Sequence, residues 1–215
     1  MIRLSIYDFD ETLYKYDTGR QLIFFLFRRK PSIIKYLPRM IWALIAYKLG
    51  HFSFQVMKSE FYSFMELFTV EEWKKIIQIF WQINQKYLFS DILTQLQNDK
   101  SDGFKVGIIS ASAECFLVPI IQYIQPDFFL GTRLYIKNNR MTGVIVGKNC
   151  KEQEKVIRLY EYMDKNFPGE EYEVIKMYSD SLHDLPLYKI AQEQYTVNSD
   201  GTIRPGIPTV YNNDI

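Results

Sequence analysis

This chain is poor in cysteine, histidine and net charge, and each shortage narrows what it can be. Cys115 and Cys150 are the only cysteines in 215 residues. They are too few for a disulfide framework and lack the Cys/His spacing of a zinc site, so reduced, partly buried thiols are expected. His51 and His183 are isolated in sequence, and neither suggests a His-based site. A net charge of +1 creates no global field toward nucleic acid. Internal repeats and low-complexity tracts are lacking as well. Asp8, Asp10 and Glu11 fall where a signal peptide would carry its apolar stretch, so a cytoplasmic protein is expected. What is present is the composition of a folded protein, 47% hydrophobic and 24% charged. The length suffices for one good core and a smaller second module.

The most informative local feature is Asp8-Phe9-Asp10-Glu11-Thr12-Leu13, directly after the apolar run Leu4-Ser5-Ile6-Tyr7. The run reads as a buried strand. Two carboxylates two residues apart at its end repel each other, and burial raises their pKa values. A Mg²⁺ ion resolves the conflict, because a hard cation takes carboxylate and carbonyl oxygens. One carboxylate can then attack phosphorus while its neighbour moves a proton. An isolated Asp-x-Asp pair also serves in turns and helix N-caps; the strand in front of it makes this pair more specific.

Along the chain, residues 2–7 read as a strand and residues 14–98 as strongly helical, with apolar residues such as Phe61, Phe64, Met65 and Phe68 at helical spacing. Pro31 and Pro38 punctuate that region, and Lys48-Leu49-Gly50 reads as a helix end. The pattern then changes. Strands are expected at 104–109, 128–132, 172–178 and 194–198, and helices at 113–123, 152–165 and 184–191. Residues 133–136 and 141–146 flank a β-hairpin turn. Strands alternating with helices predict an α/β fold with a parallel sheet covered on both faces. The domains expected are a Rossmann-like core of residues 1–13 and 99–215, and an inserted helical cap of residues 14–98.

The strand followed by Asp-Phe-Asp-Glu-Thr-Leu resembles the first motif of the haloacid dehalogenase superfamily of phosphohydrolases. Three further stations should then follow, each at the carboxyl end of a strand. After 104–109 stands Ser110-Ala111-Ser112-Ala113. There the Ser110 hydroxyl and the backbone around Ala111 are candidates for binding phosphate; taken alone Ser110 would read as an N-cap, but its place at this strand end favours the phosphate role. The third station needs a cation. Lys148, Lys151 and Lys155 compete, and the pattern Cys150-x-x-x-Glu154-Lys155-Val156 resembles the phosphoserine phosphatase-like branch, which favours Lys155 with Lys151 as fallback. The fourth is Ser179-Asp180-Ser181-Leu182-His183-Asp184. Asp180 is expected to bind Mg²⁺ opposite Asp8, and Asp184 to orient Lys155 or a metal-bound water. His183 is read as structural.

The resemblance implies a Rossmann-like core and Mg²⁺-dependent phosphoryl transfer. Asp8 would be the nucleophile. Asp10 would bind the metal through its backbone carbonyl and act as acid and then base through its side chain. A catalytically idle binding protein on this fold is the reading of another class, and the intact set Asp8, Asp10, Ser110, Lys155 and Asp180 argues against it. A phosphotransferase differs from a hydrolase only in its product.

The substrate, a phosphorylated small molecule or a lipid phosphate, is less legible. Residues 22–49 join the run Leu22–Phe27, the basic Arg28-Arg29-Lys30 and an apolar stretch whose only charges are Lys35, Arg39 and Lys48. Those charges argue against a simple membrane span. A basic amphipathic helix in the membrane interface fits, as does a cap helix packed among its neighbours. The arrangement is loosely similar to the C-type phosphatidylglycerophosphatases, which implies a lipid phosphate and a protein peripheral at the inner face of the membrane. Phosphoserine or another small phosphomonoester is the competing substrate, with Glu11 and Arg20 as polar groups for its pocket.

Overall fold

Leu4, Ser5, Ile6 and Tyr7 are all buried, although alternate residues of a strand face opposite ways. A strand buried on both sides belongs inside a covered sheet. The computed structural model of the chain describes residues 1–209; residues 210–215, the end of the expected core, lie outside the described residues. The chain runs through β1 (Ile2–Tyr7) into the helices α1 (Thr18–Arg29), α2 (Leu37–Lys48), α3 (Phe54–Phe61), α4 (Val70–Asn84) and α5 (Ser90–Ser101). It continues through β2 (Lys105–Ala113), α6 (Glu114–Ile124), β3 (Phe128–Thr132), β4 (Leu134–Lys137), β5 (Arg140–Ile145) and α7 (Gln153–Asn166). It ends through β6 (Tyr172–Ser179), α8 (Leu185–Ile190), β7 (Ala191–Val197) and β8 (Ile203–Pro205).

Six strands form one sheet in the order β3-β2-β1-β6-β7-β8. The first five are parallel, and β8 returns antiparallel on the edge. The α/β fold with a mostly parallel sheet is therefore as expected. β1 is central, with Leu4 opposite Lys105 on one side and Ile2 opposite Tyr172 on the other. The chain winds out in both directions from it, which makes its carboxyl end the switch point where such sheets open a crevice.

Each face of the sheet has its own core. Leu4, Ile6 and Met177 pack with Val156, Leu159 and Met163 of α7. On the other face, Tyr7, Ile108 and Tyr178 join Leu96, Phe116 and Trp81 from α5, α6 and α4. This second face also encloses a carboxylate. The hydroxyls of Ser5 and Tyr7 donate to Asp99 Oδ2 at 2.6 and 2.7 Å, and Lys176 Nζ lies 2.7 Å from Oδ1. Paired in this way, the buried charge is compensated.

The helical stretch between β1 and β2 has two structural additions. Pro31–Tyr36 forms a 3-10 turn rather than the start of a helix, so α2 begins only at Leu37, with Pro38 in its first turn. A capping box of Thr69 and Glu72 opens α4. The hairpin β4–β5 turns at Asn138 and Asn139, both at positive φ (48° and 57°), as a tight hairpin requires. It leans on the helical stretch: Met141 N–H donates to Phe68 O and Val70 N–H to Asn139 O, both at 3.1 Å. Gly143 makes this approach possible, because a Cβ there would stand 2.4 Å from Ser59 O.

Candidate active site

Asp8 leaves β1 with its N–H still donating to Tyr178 O of β6 (3.0 Å), so the sheet itself aims its side chain. The chain then turns sharply. Leu13 N–H returns to Phe9 O at 2.9 Å, and Glu11 takes positive φ (58°) to allow it. The turn sends Asp8 and Asp10 into different surroundings.

Asp8 Oδ1 lies 2.6 Å from Lys155 Nζ, and the same ammonium is 2.6 Å from Asp184 Oδ1. Ser179 Oγ donates to Asp184 Oδ2 at 2.7 Å and holds that carboxylate in place. All three charged groups are buried. Burial works against the charge on Lys155, but Asp184 and Asp8 outweigh it and hold its pKa up. Burial raises the Asp8 pKa, opposed by Lys155 and reinforced by Asp184 and Asp180.

Asp10 turns toward the helical stretch instead. Its Oδ1 accepts the Thr18 N–H at 2.8 Å and the Thr18 hydroxyl, at the first residue of α1, while the Ser112 hydroxyl donates to its Oδ2. Burial, then the charge of Asp17, push the Asp10 pKa up to about 7, against those hydrogen bonds. A carboxyl group so placed can hold or release a proton near neutrality.

The other expected residues surround this pair. Asp180 is clamped to the first turn by Thr12, whose hydroxyl donates to Asp180 Oδ1 at 3.0 Å and accepts the Asp180 N–H at 3.1 Å. The Ser110 Oγ is buried and accepts the Ser112 N–H at 3.0 Å. β2 runs through this station to Ala113 rather than ending before it, with its register against β3 shifting between Ile109 and Ala113. The Ala111 carbonyl accepts from Lys58 Nζ at 2.7 Å. The Lys151 ammonium lies over the Phe54 ring. His183 Nδ1 is 3.2 Å from Glu152 Oε1.

Four groups of the site were not singled out from sequence. Thr12, Thr18 and Ser112 are hydroxyl partners of Asp180 and Asp10, of which Thr18 alone is near its aspartate in sequence. The period of a strand could have found Ser112, since residues 110 and 112 share a face. Lys58 reaches in from α3 to Ala111 O and to Asn149 Oδ1 (2.8 Å), and its pKa is lowered to about 8 by burial. Nothing in a helical lysine marks that role.

The donor set suits a hard cation. Among the described residues, no three His, Cys, Asp or Glu side chains form a complete metal cage. Mg²⁺ does not need one: it binds through one or two carboxylates and retains waters. Asp8 and Asp180 would supply those carboxylates, with the Asp10 backbone carbonyl beside them.

The chain is 27% identical over 193 residues to protein CicA of Caulobacter vibrioides, covering 89% of this chain and 84% of that one. Its fold matches a protein of unknown function from Bordetella pertussis Tohama I with a TM-score of 0.78 at 19% identity, over 90% and 89% of the two chains. It also matches a substrate-bound phosphoserine phosphatase with a TM-score of 0.60 at 17% identity, over 91% and 86%. The model of the haloacid dehalogenase-like hydrolases matches residues 6–189, a span reaching from the strand before Asp8 past Asp184, and the chain belongs to that hydrolase family.

Proposed function

We propose that this protein is a Mg²⁺-dependent phosphomonoesterase working through an aspartyl-phosphate. The observation that carries the reading is the division between two neighbouring carboxylates. Asp8 is bonded to Lys155, and Asp10 is held apart with a pKa near 7. In the first step the Asp8 oxygen not engaged by Lys155 attacks phosphorus. The phosphorus–ester oxygen bond breaks, and the Asp10 carboxyl proton passes to the leaving oxygen. In the second step the Asp10 carboxylate takes a proton from water as the water attacks phosphorus. The bond to Asp8 then breaks and inorganic phosphate leaves. Lys155 offsets charge on the transferring group, and the Ser110 hydroxyl donates to one of its oxygens. Asp8, Asp180 and the Asp10 carbonyl would hold Mg²⁺, which would supply further charge neutralisation.

For substrate we favour a phosphomonoester on an apolar body, such as phosphatidylglycerophosphate, because the helical stretch beside the site carries large apolar side chains at its surface. A small polar phosphomonoester such as phosphoserine is the second reading. It is favoured by Lys58, a cation brought from α3 to the second station.

The test is Mg²⁺-dependent phosphate release from the lipid in mixed micelles, with phosphoserine beside it. Asp8→Asn should lower kcat by at least ~10³-fold with unchanged folding, and near-normal turnover would sink the mechanism. Preference for phosphoserine would replace the lipid reading with the second one. Transfer to an added alcohol, seen in the products, would make the enzyme a phosphotransferase.

A further inference from the structure

α2 is built inside out. Its buried residues are Met40, Ala43 and Ala46, one narrow stripe of mostly small side chains that packs toward α3. The large apolar residues point the other way. Leu37, Ile41 and Ile45 recur every four residues along the outer face, the spacing of one side of a helix. Trp42 beside them is 57% exposed, and Ile41 and Ile45 are 48% and 44% exposed. Exposed Ile34 and Leu49 extend the face at its two ends. Ordinary amphipathic helices place such residues against the core. A contiguous apolar surface of this kind marks an interaction site.

The charge around this face selects the partner. Between Asp17 and Glu60 there is no Asp or Glu, whereas eight Lys and Arg fall there, of which Lys58 alone is turned into the active site. The whole chain has a net charge of only +1, so the remainder carries an excess of acid. The segment from α1 to α3 is therefore basic against the rest of the chain. Lys35 and Lys48 flank the outer face of α2. Arg39 is also exposed but is paired with Glu60 of α3 at 2.5 Å. Long basic side chains at the rim of an apolar helix face lie along it with their heads in the headgroup layer. No helix among the described residues is long and apolar enough to cross a membrane; α2 spans 12 residues, Leu37–Lys48.

We infer that α2 docks flat on an anionic lipid surface, with Ile41, Trp42 and Ile45 entering the acyl boundary and Lys35 and Lys48 meeting lipid phosphates. The burial pattern narrows the contact within residues 22–49. Leu22, Ile23 and Leu26 of α1 are buried in the protein, and Phe24 alone of its apolar residues is strongly exposed, so α1 contributes chiefly charge. The inference deepens the proposed function by naming the surface that would bring a lipid phosphate within reach, and it rests on that reading for its purpose alone.

The test uses the full chain and phosphatidylglycerol/phosphatidylcholine vesicles, which contain no phosphomonoester, so docking is read without turnover. Wild type should cosediment with them, more weakly as salt rises and far less with phosphatidylcholine alone. Trp73 and Trp81 are buried, so quenching by brominated lipid should report Trp42. Ile41→Ser with Ile45→Ser, and separately Lys35→Gln with Lys48→Gln, should weaken binding by at least about tenfold, while turnover of a soluble phosphomonoester stays at wild-type level. Asp8→Asn should bind vesicles normally, so a failure of the catalytic reading would not be mistaken for a failure of docking. Absent cosedimentation, equal binding to phosphatidylcholine, or unquenched Trp42 would overturn the inference. So would a dimer that the Ile41/Ile45 double variant dissociates, since the face would then belong to a second copy.

Discussion

Asp8 and Asp10 are two residues apart, yet one is tied to an ammonium and the other to hydroxyls. That difference has a thermodynamic signature. Asp10 has a pKa near 7 in the folded protein against an ordinary value of 3.8. Between about pH 4 and 7 the folded chain keeps a proton that the unfolded chain has lost. Stability therefore falls as pH rises through that window and levels off above it. In metal-free protein, Asp10→Asn should abolish this contribution. Its Tm should match wild type near pH 4 and exceed it by at least ~2 °C at pH 8; a constant difference across that range would refute the shift. Ser112→Ala removes a hydrogen bond to the charged form of Asp10, which should raise the Asp10 pKa further. The acidic limb of the kcat profile should move to higher pH, with a loss of about tenfold at pH 6. An unmoved limb would separate Ser112 from the proton transfer.

Among the elements, the hairpin β4–β5 is fixed to the helical stretch by a backbone contact that tolerates no side chain at Gly143. Gly143→Ala would place a carbon 2.7 Å from Tyr62 C and 2.9 Å from Ser63 N, besides its clash with Ser59 O. Backbone atoms yield less than side-chain tips, so a loss of about 1–3 kcal/mol is expected. Calorimetry should show a Tm several degrees lower, and an unchanged Tm would mean that the hairpin is free to lift. Elements with one strong signal were legible in the sequence. The apolar run before Asp8 predicted β1, and Lys137-Asn138-Asn139-Arg140 predicted the hairpin turn. The strand pattern of β2 stops at 109, because Ser110-Ala111-Ser112-Ala113 lacks the large apolar residues that mark a strand. β8 was missed because three residues ending in Pro205 give no pattern. α2 is apolar nearly all round, so its periodicity could not say that Ala43 and Ala46 would face inward. The contact of Lys58 with Asn149 spans 91 residues and has no local trace at all.

For the whole molecule, Mg²⁺ should act as a stabiliser. Asp8 and Asp180 are buried acids beside a third, Asp184, with Lys155 as the cation seen bonded to Asp8 and Asp184. A ligand bound only by the folded state at 100 times its Kd adds about 2.7 kcal/mol. Mg²⁺ should then raise Tm by roughly 5–10 °C, and Asp180→Asn should lose most of that gain; an equal rise in the variant would place the ion elsewhere. The central position of β1 carries a different consequence, for the order of synthesis. β1 leaves the ribosome long before its partners, since β2 starts at Lys105 and β6 at Tyr172. One edge of β1 lacks its hydrogen-bonding neighbour until β2 emerges and the other until β6 does, and only then does Asp8 have the Tyr178 carbonyl to hold it. At about 5–20 residues per second, that leaves an interval of roughly 8–35 s. During it a nascent chain has a helical stretch in hand but no crevice, and its exposed strand is open to capture by a chaperone.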